Sequence, residues 1–321
     1  HSVIGIDVGG TKVSAALFLL DGSIVKKRYR KLEGRSGKEV QLIISALVGD
    51  LIIKGRQHSL KVTAVGVCVP GISNQESNLI WAPNIPGWEN YNLHKELTQL
   101  LNDPSIRITI DSDRSCSVLA EMWNGKAKNC ENVIFIAVGT GIGAGIVANG
   151  TLITGKSGIA GAIGWLGMES QYQKKYDPCG NFEYYASGNG IARSAIEILK
   201  ENPTIKSCLR DIPENKLSAE DIFSAYSNDD EIALITLDKA ITFWGISIAN
   251  LISIFNPEKI ILGGGVFGPA KKFISAIYKE AKKWAQPISI DQVSIESSSL
   301  KGNAGLVGAG YLAIKSLKNQ L

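Results

Sequence analysis

The run Val3-Ile4-Gly5-Ile6-Asp7-Val8-Gly9-Gly10-Thr11-Lys12-Val13 decides the fold of this chain, because it joins two strand-like stretches through a glycine-rich turn. The second of these stretches continues to Leu20. The same design returns at Val133–Val138, Gly139–Gly143 and Ala144–Ala148. Short apolar runs separated by glycines are typical of strands joined by a tight turn. The sequence therefore predicts one strand-turn-strand unit that is used twice.

Strand-like and helix-like segments alternate along the chain. Short apolar runs predict strands at 24–32, 61–69, 106–110 and 259–262, and helical spacing of apolar residues predicts helices at 38–55, 93–101, 114–126, 191–200, 219–226, 231–255, 270–284 and 304–317. This alternation predicts an α/β fold of mixed sheets covered by helices. Because 321 residues exceed the usual single domain, we expect two lobes with an interlobe cleft. The predicted lobes are residues 1–125, completed by a C-terminal helix at 304–321, and residues 126–303.

Composition argues against several classes of partner. Net charge is +4 and the Lys and Arg residues are scattered, so we expect no nucleic-acid partner. Uninterrupted apolar runs are shorter than the roughly 20 residues that cross a bilayer, so we expect no membrane span. The five cysteines are widely spaced and mostly have apolar neighbours, which indicates free thiols in a reducing compartment. Since a strand begins at once, we expect no signal peptide and a cytoplasmic location.

Both glycine-rich turns suit phosphate binding. Glycine lets a backbone turn approach a phosphate closely and direct its N–H groups at it. In the first turn Asp7 can hold Mg²⁺, directly or through water, while Thr11 and Lys12 offer a hydroxyl and a positive charge. A hairpin that needs glycine only for positive φ is the structural alternative, and for either turn alone it is the stronger one.

Four motifs occur in the order seen in ROK-family sugar kinases, which this chain resembles from residue 3 to about 315. They are Asp7-Val8-Gly9-Gly10-Thr11-Lys12, Pro83-Asn84-Ile85-Pro86-Gly87-Trp88, Gly139-Thr140-Gly141-Ile142-Gly143 and Leu262-Gly263-Gly264-Gly265. The resemblance implies the actin-like, hexokinase-type, ribonuclease-H-like ATPase fold, with ATP and Mg²⁺ as cofactors and a homodimer. It also implies that Gly9–Lys12 and Gly139–Gly143 contact phosphates and that Gly263–Gly265 lies beside the adenosine.

The resemblance further implies that Asp113 is the catalytic base. Members of the family carry an Asn-Asp pair there, and this chain has Ser112-Asp113. An ionised Asp at the end of a strand can orient a hydroxyl and accept its proton during phosphoryl transfer. Asp111 is a weaker candidate for this role. The alternative is that Asp113 or Ser112 only caps the following helix.

The predicted sugar contacts are Gly71, Asn84, Ser112, Asp113, Trp165 and Glu183. Gly71 and Asn84 fall in the long loop 70–92, and such loops usually line sites. Family members active on glucose resemble Gly-Glu-Ile-Gly-His where this chain has Gly161-Ala162-Ile163-Gly164-Trp165, so two polar contacts are missing. Asn84 can instead form a turn, and Glu183 can instead begin a helix. Trp165 is either a stacking platform or ordinary core, and the sequence leaves these two equal.

Many family members also carry a structural zinc site built from the missing His and three cysteines. Only Cys179 remains of that set, and one cysteine cannot make a tetrahedral site, so we predict no zinc and a replacement by the loop 169–178. The sequence thus predicts an ATP-dependent kinase for a sugar other than free glucose, such as a glycoside, a disaccharide or a modified hexose. A catalytically silent sugar sensor is the main alternative, and a sugar-independent ATPase of the same fold is a weaker one.

Overall fold

The computed structural model describes residues 1–74, 76–300 and 302–318. Its strands are β1 (Ser2–Val8), β2 (Lys12–Leu19), β3 (Ile24–Lys31), β4 (Val62–Val69), β5 (Ile72–Asn74), β6 (Leu79–Trp81), β7 (Arg107–Ser112), β8 (Val133–Val138), β9 (Ile142–Ala148), β10 (Thr151–Leu152), β11 (Lys259–Gly263) and β12 (Ser294–Ser297). Its α-helices are α1 (Gly37–Gln57), α2 (Leu93–Leu101), α3 (Asp113–Asn124), α4 (Asn181–Ala186), α5 (Gly188–Glu201), α6 (Ala219–Tyr226), α7 (Glu231–Phe255), α8 (Ile274–Trp284), α9 (Pro287–Ile290) and α10 (Ala304–Lys318).

The chain forms two compact units. The first contains His1–Asn129, Leu152–Ala160 and Ser299–Leu321, and the second contains Cys130–Thr151 and Gly161–Ser298. Each unit is built on a mixed five-stranded sheet, ordered β3-β2-β1-β4-β7 in the first and β10-β9-β8-β11-β12 in the second. In both sheets an antiparallel hairpin is followed by two parallel strands. The twice-used strand-turn-strand unit is therefore present as predicted.

Burial explains the strand order in the first unit. β1 is almost wholly buried and lies in the middle, whereas β3 is charged, largely exposed and at the edge. Lysine and arginine on an edge strand discourage pairing with other chains. One face of the sheet packs against α1, and the other packs against α10. On that second face a Cβ at Gly66 would lie 2.0 Å from the Ala309 carbonyl oxygen, so glycine allows α10 to approach the sheet.

Helix α7 is 25 residues long and apolar enough to cross a membrane by length and composition alone. Asp238 and Lys239 interrupt its apolar sequence. In the fold most of the helix is buried, and α7 packs against α4, α5, α6 and α8. Among the described residues α7 is therefore a core helix of the second unit.

Most predicted elements occur within a few residues of their expected bounds, and α7 matches its prediction. The helix expected at 270–284 is divided, with a 3₁₀ turn at Ala270–Phe273 before α8. Strand β12 was not predicted because its sequence, Ser-Ile-Glu-Ser, is short and half polar. The helix that the alternative reading of Glu183 expected is α4, and a break at Ser187, which caps α5, separates α4 from α5.

Candidate active site

The carboxylates of Asp7 and Asp113 lie at the carboxyl ends of the parallel strands β1 and β7 of the first unit. Asp7 is the penultimate residue of β1 and is in register with Cys68 on β4, which is in register with Asp111 on β7. Burial raises the pKa of Asp7, and the negative charge of Asp113 raises it further, against a hydrogen bond with Cys68 and the charges of Lys12 and Lys27. A Cβ at Gly305, in the first turn of α10, would lie 2.5 Å from Asp7 Oδ1. Asp7 is therefore half-buried, close to a helix N-terminus and electrostatically coupled to Asp113.

Asp113 is the first residue of α3, and its carboxylate keeps access to solvent. Its Oδ1 accepts a hydrogen bond of 2.8 Å from the Arg114 N–H. Desolvation by the surrounding protein raises the pKa of Asp113, while the positive charge of Arg114 opposes that rise. An accessible carboxylate of raised basicity is what a general base requires.

Ser112 is the N-cap of α3, so the capping role falls to Ser112 and not to Asp113. Its Oγ accepts a hydrogen bond of 3.3 Å from the Ser115 N–H and donates one of 3.0 Å to Ser115 Oγ. Asp111 accepts a hydrogen bond of 2.7 Å from the Ser112 N–H. Burial raises the pKa of Asp111, and its hydrogen bonds with Ser115 and Ser112 oppose this. Ser112 and Asp111 thus shape the turn that presents Asp113.

The first glycine-rich turn is closed by a hydrogen bond of 2.9 Å from the Gly9 N–H to the Lys12 carbonyl. Thr11 and Lys12 are exposed, and a Cβ at Gly10 would meet no atom within 4 Å. Neither Gly9 nor Gly10 has a positive φ. Neither a positive φ nor crowding therefore requires glycine at Gly10, and the backbone there is open to close approach.

The second turn, in the other unit, is held by Glu183. Its Oε2 accepts a hydrogen bond of 2.6 Å from the Ile142 N–H, and a Cβ at Gly141 would lie 2.7 Å from the same oxygen. Burial raises the pKa of Glu183, whereas the Ile142 N–H and the charge of Arg193 lower it. The structure thus directs this carboxylate to the backbone of the turn, whereas the sequence predicted a sugar contact.

The remaining glycines of the second turn have different environments. Gly139 donates a hydrogen bond of 2.9 Å to the Gly141 carbonyl, and a Cβ on Gly139 would meet nothing within 4 Å. Thr140 is exposed next to it. Gly143 is buried within β9, paired with Ala137. Gly139 and Thr140 therefore face open space, and Gly143 does not.

A cavity of about 450 Å³ in the second unit joins this turn to the third glycine motif. Gly265 lines it, and a Cβ there would meet nothing within 4 Å. Gly263 packs on Phe135, and Gly264 has φ of +89° with its Cβ position 2.2 Å from the Val138 carbonyl oxygen. Of these three glycines only Gly265 reaches the cavity. Its other walls are Gly139, Thr140, Gly188, Asn189, Ala192, Leu217, Ser218, Ala219, Glu220, Phe223, Val266 and Pro269.

In the loop 70–92, Asn84 is exposed within a turn that is anchored by Trp88. Trp88 is fully buried, stacks on Tyr91 at 4.9 Å and donates a hydrogen bond of 3.0 Å to the Gly37 carbonyl. Gly71 serves the backbone, because a Cβ there would lie 2.1 Å from the Trp81 carbonyl oxygen. The loop therefore offers the Asn84 side chain from a rigid base.

A family profile described as the ROK family matches residues 3–316. The chain belongs to the ROK family. The glucokinase of Halalkalibacterium halodurans is 31% identical, covering 99% of this chain and 96% of its own length. The xylose repressor of Bacillus subtilis is 26% identical over 97% of this chain and 76% of its own length, and the beta-glucoside kinase of Listeria monocytogenes is 25% identical over 96% of each.

Solved structures agree with the family assignment. The ROK hexokinase of Thermus thermophilus superposes with a TM-score of 0.82 at 24% identity, over 99% of this chain and 100% of that chain. The ROK glucokinase of Streptomyces griseus, solved with glucose and AMPPNP, has a TM-score of 0.72 at 25% identity over 98% and 100%. The predicted two-lobed α/β fold of the hexokinase type is confirmed.

Trp165 marks where this ROK chain departs from the family motif. The residue ends a 3₁₀ turn at Ile163–Trp165, and 60% of its surface is exposed. A Cβ at Gly180 would lie 2.5 Å from Trp165 Cα, so this backbone is held against the start of α4. Exposure removes core packing as the explanation for Trp165.

The sequence motifs did not identify the cavity wall formed by Leu217–Phe223. Its acids Glu220 and Asp221 follow Ser218, which is the pattern of an ordinary helix start, and Ser218 and Asp221 do form a capping box at the start of α6. That pattern predicts a helix but does not indicate a cavity wall. Glu183 was noticed as a polar residue, but its bond to Ile142 depends on tertiary packing.

Proposed function

We propose that this ROK protein is an ATP-dependent sugar kinase. The observation that carries the proposal is the position of Asp113, an accessible carboxylate at the start of α3 that is coupled to Asp7. A base of this kind, beside a second acid and an exposed Lys12, suits transfer of a phosphoryl group to a hydroxyl. The glucokinase and beta-glucoside kinase among the relatives support this reaction class.

ATP is the phosphate donor in this proposal. Gly10, Thr11 and Lys12 of the first unit can offer backbone N–H groups, a hydroxyl and a positive charge to phosphates. In the second unit Thr140 is exposed and offers a hydroxyl at the edge of the cavity. The cavity that includes Gly265 has both apolar and polar side chains in its walls, and its volume of about 450 Å³ can take an adenosine. AMPPNP in the Streptomyces griseus relative supports an adenine nucleotide.

The residues present also fit a magnesium ion. Asp7 and Asp113 supply oxygen donors, which Mg²⁺ prefers, and their mutual repulsion favours a cation. In this assignment Asp7 holds the ion directly or through water. Bound there, Mg²⁺ would neutralise charge on the phosphates.

The residues of the chain then perform the transfer. Asp113 orients the acceptor hydroxyl and accepts its proton, the hydroxyl oxygen forms a bond to the γ-phosphorus, and the bond to the β–γ bridging oxygen breaks to leave ADP. Lys12 offsets the negative charge carried by the phosphates. The backbone at Gly10 lets a phosphate approach without side-chain obstruction.

The acceptor in this proposal is a sugar other than free glucose. Ala162 and Trp165 stand where glucose-active relatives resemble Glu and His, so two polar partners for hydroxyls are absent from the motif. An unpaired substrate hydroxyl in a closed site costs about 1–3 kcal/mol. The exposed ring of Trp165 can stack on a second ring, which favours a glycoside or disaccharide. We further propose a cytoplasmic homodimer.

Incubation with Mg·ATP and a panel of monosaccharides, disaccharides and aryl glycosides tests the function. We expect phosphorylation of at least one glycoside or disaccharide in preference to glucose, and a loss of roughly 10²- to 10⁴-fold in kcat for Asp113→Asn. Asp238→Asn, an exposed change on α7, is the matched control and should keep full activity. Absence of transfer to every sugar, or full activity of Asp113→Asn, would overturn the proposal.

A sugar sensor without catalysis is the second candidate, and the similarity to the Bacillus subtilis xylose repressor favours it. Calorimetry separates the two candidates. Sugar binding with no ATP turnover on any panel member indicates the sensor, whereas ADP release that depends on sugar indicates the kinase.

A further inference from the structure

The residues around Cys179 do not fit the zinc site that the family resemblance implies for this position. Trp165 replaces the histidine, and Cys179 is the one thiol of the set. Arg193 Nη1 lies 3.9 Å from Cys179 Sγ, so a positive charge already faces the sulfur where a metal would need to bind.

Tyr176 fills the interior of the loop 169–178 instead. Its side chain is buried, its hydroxyl donates a hydrogen bond of 2.5 Å to Glu169 Oε2, and the Tyr185 hydroxyl lies 3.2 Å away. Glu169 Oε2 also accepts a hydrogen bond of 3.1 Å from Asn181 Nδ2. Asn181 Oδ1 in turn accepts one of 2.6 Å from the Met168 N–H. The loop is therefore tied to the first turn of α4 by buried polar contacts.

Three positively charged side chains lie over the rings of Tyr184 and Tyr185. Lys239 Nζ, from α7, lies 3.5 Å from the Tyr185 ring centroid and 3.8 Å from Glu169 Oε1. Lys175 Nζ lies 5.1 Å from the Tyr184 ring and 3.2 Å from Glu197 Oε1 on α5.

The third cation is Arg193, whose Cζ lies 4.2 Å from the Tyr184 ring. Its Nη1 donates a hydrogen bond of 3.2 Å to the Tyr184 carbonyl. Cations over aromatic faces attract the ring quadrupole, most strongly where water is displaced. The loop is thus joined through these cations to α4, α5 and α7.

We propose that this cluster, Glu169, Lys175, Tyr176, Tyr184, Tyr185, Arg193 and Lys239, is a metal-free anchor that positions α4. Helix α4 carries Glu183, which holds the second phosphate turn through the Ile142 N–H, and its start packs against the Trp165 backbone. A tetrahedral ion would fix the same segment by coordination, and here hydrogen bonds and cation–ring contacts from three helices do so. Tyr176 is therefore a positioning residue, and its kinetic consequence rests on the proposed kinase function.

Hydrogen–deuterium exchange of peptides covering 166–186 tests the anchor without reference to activity. Tyr176→Phe keeps the ring but leaves Glu169 without one buried partner, and we expect exchange there to rise about tenfold, as for the loss of one buried hydrogen bond. Tyr172→Phe is the matched control, because Tyr172 lies in the same loop but is exposed, and its hydroxyl donates a hydrogen bond to the exposed Asp177. We expect it to exchange like the unmodified protein.

Metal analysis and kinetics complete the test. We expect less than stoichiometric zinc in the purified protein and no change in exchange after chelation. In active preparations Tyr176→Phe should raise the KM for ATP and for sugar, with a smaller effect from Tyr172→Phe. Stoichiometric zinc, or exchange in Tyr176→Phe equal to that of the control, overturns the anchor. Absence of kinase activity in the unmodified protein overturns the proposed function alone, since the exchange result stands without it.

Discussion

Substitution of Glu183 separates two roles for this residue. In the structure its carboxylate accepts a hydrogen bond of 2.6 Å from the Ile142 N–H in the second phosphate turn. Glu183→Ala removes that acceptor and leaves a backbone N–H without its partner. A hydrogen bond to a charged group contributes about 1.5–3 kcal/mol, which corresponds to roughly 10- to 150-fold in an equilibrium. Because Glu183 is half-buried, we expect the lower end, about tenfold, to appear in the KM for ATP.

Initial-rate kinetics with each substrate varied in turn provides the assay. Glu183→Gln keeps an oxygen acceptor without the charge, and we expect its KM for ATP to lie between those of the unmodified enzyme and Glu183→Ala. The KM for sugar should change less than the KM for ATP in both variants. A rise in the KM for sugar with an unchanged KM for ATP would refute this reasoning and restore the sugar contact predicted from the sequence.

Two further predictions concern the first unit. Asp113 has a folded-state pKa raised above its ordinary value of 3.8, so the folded protein binds that proton more tightly than the unfolded chain, and ionisation costs stability as pH rises above 3.8. Asp113→Asn should therefore raise the melting temperature at pH 7, and this gain should disappear below pH 3.8. A melting temperature at pH 7 that is equal to or lower than that of the unmodified protein would contradict the raised pKa of Asp113. Ser112→Ala removes the N-cap of α3 and should lower the free energy of unfolding by about 1 kcal/mol in urea titrations, with Ser112→Thr as the control that keeps an oxygen. An unchanged urea midpoint for Ser112→Ala would show that the cap contributes nothing.

The fold followed from local patterns wherever apolar spacing was strong. The hairpin of β1 and β2 was visible in its apolar runs and glycine turn, and α7 was visible over its whole length. Strand β12 was not, because a four-residue edge strand of half-buried residues has no distinctive period. The 3₁₀ turn before α8 could not be separated from a helix, since both place apolar residues three or four positions apart.

The candidate site was predictable as motifs but not as geometry. Gly10, Gly139 and Gly265 face open space, whereas Gly263 and Gly264 are required by packing or by φ and Gly143 is buried within β9. The sequence alone does not distinguish these six glycines, because their roles depend on which residues surround each of them in the fold. The cavity wall at Leu217–Phe223 is likewise ordinary helix sequence, which becomes a wall only because α6 packs beside α5.

Three acids of the first unit, Asp7, Asp111 and Asp113, have different neighbours and therefore different charge balances. Burial raises the pKa of Asp7, Asp111 and Asp113 alike. Asp111 recovers part of that cost through the Ser112 N–H and hydrogen bonds with Ser115, which are permanent parts of the turn. For Asp7 the negative charge of Asp113 adds to the effect of burial, and the hydrogen bond with Cys68 and the charges of Lys12 and Lys27 offset this only in part, since the pKa stays raised. A cation or a proton at Asp7 would relieve the remaining cost, which agrees with the role in holding Mg²⁺ that we propose for Asp7.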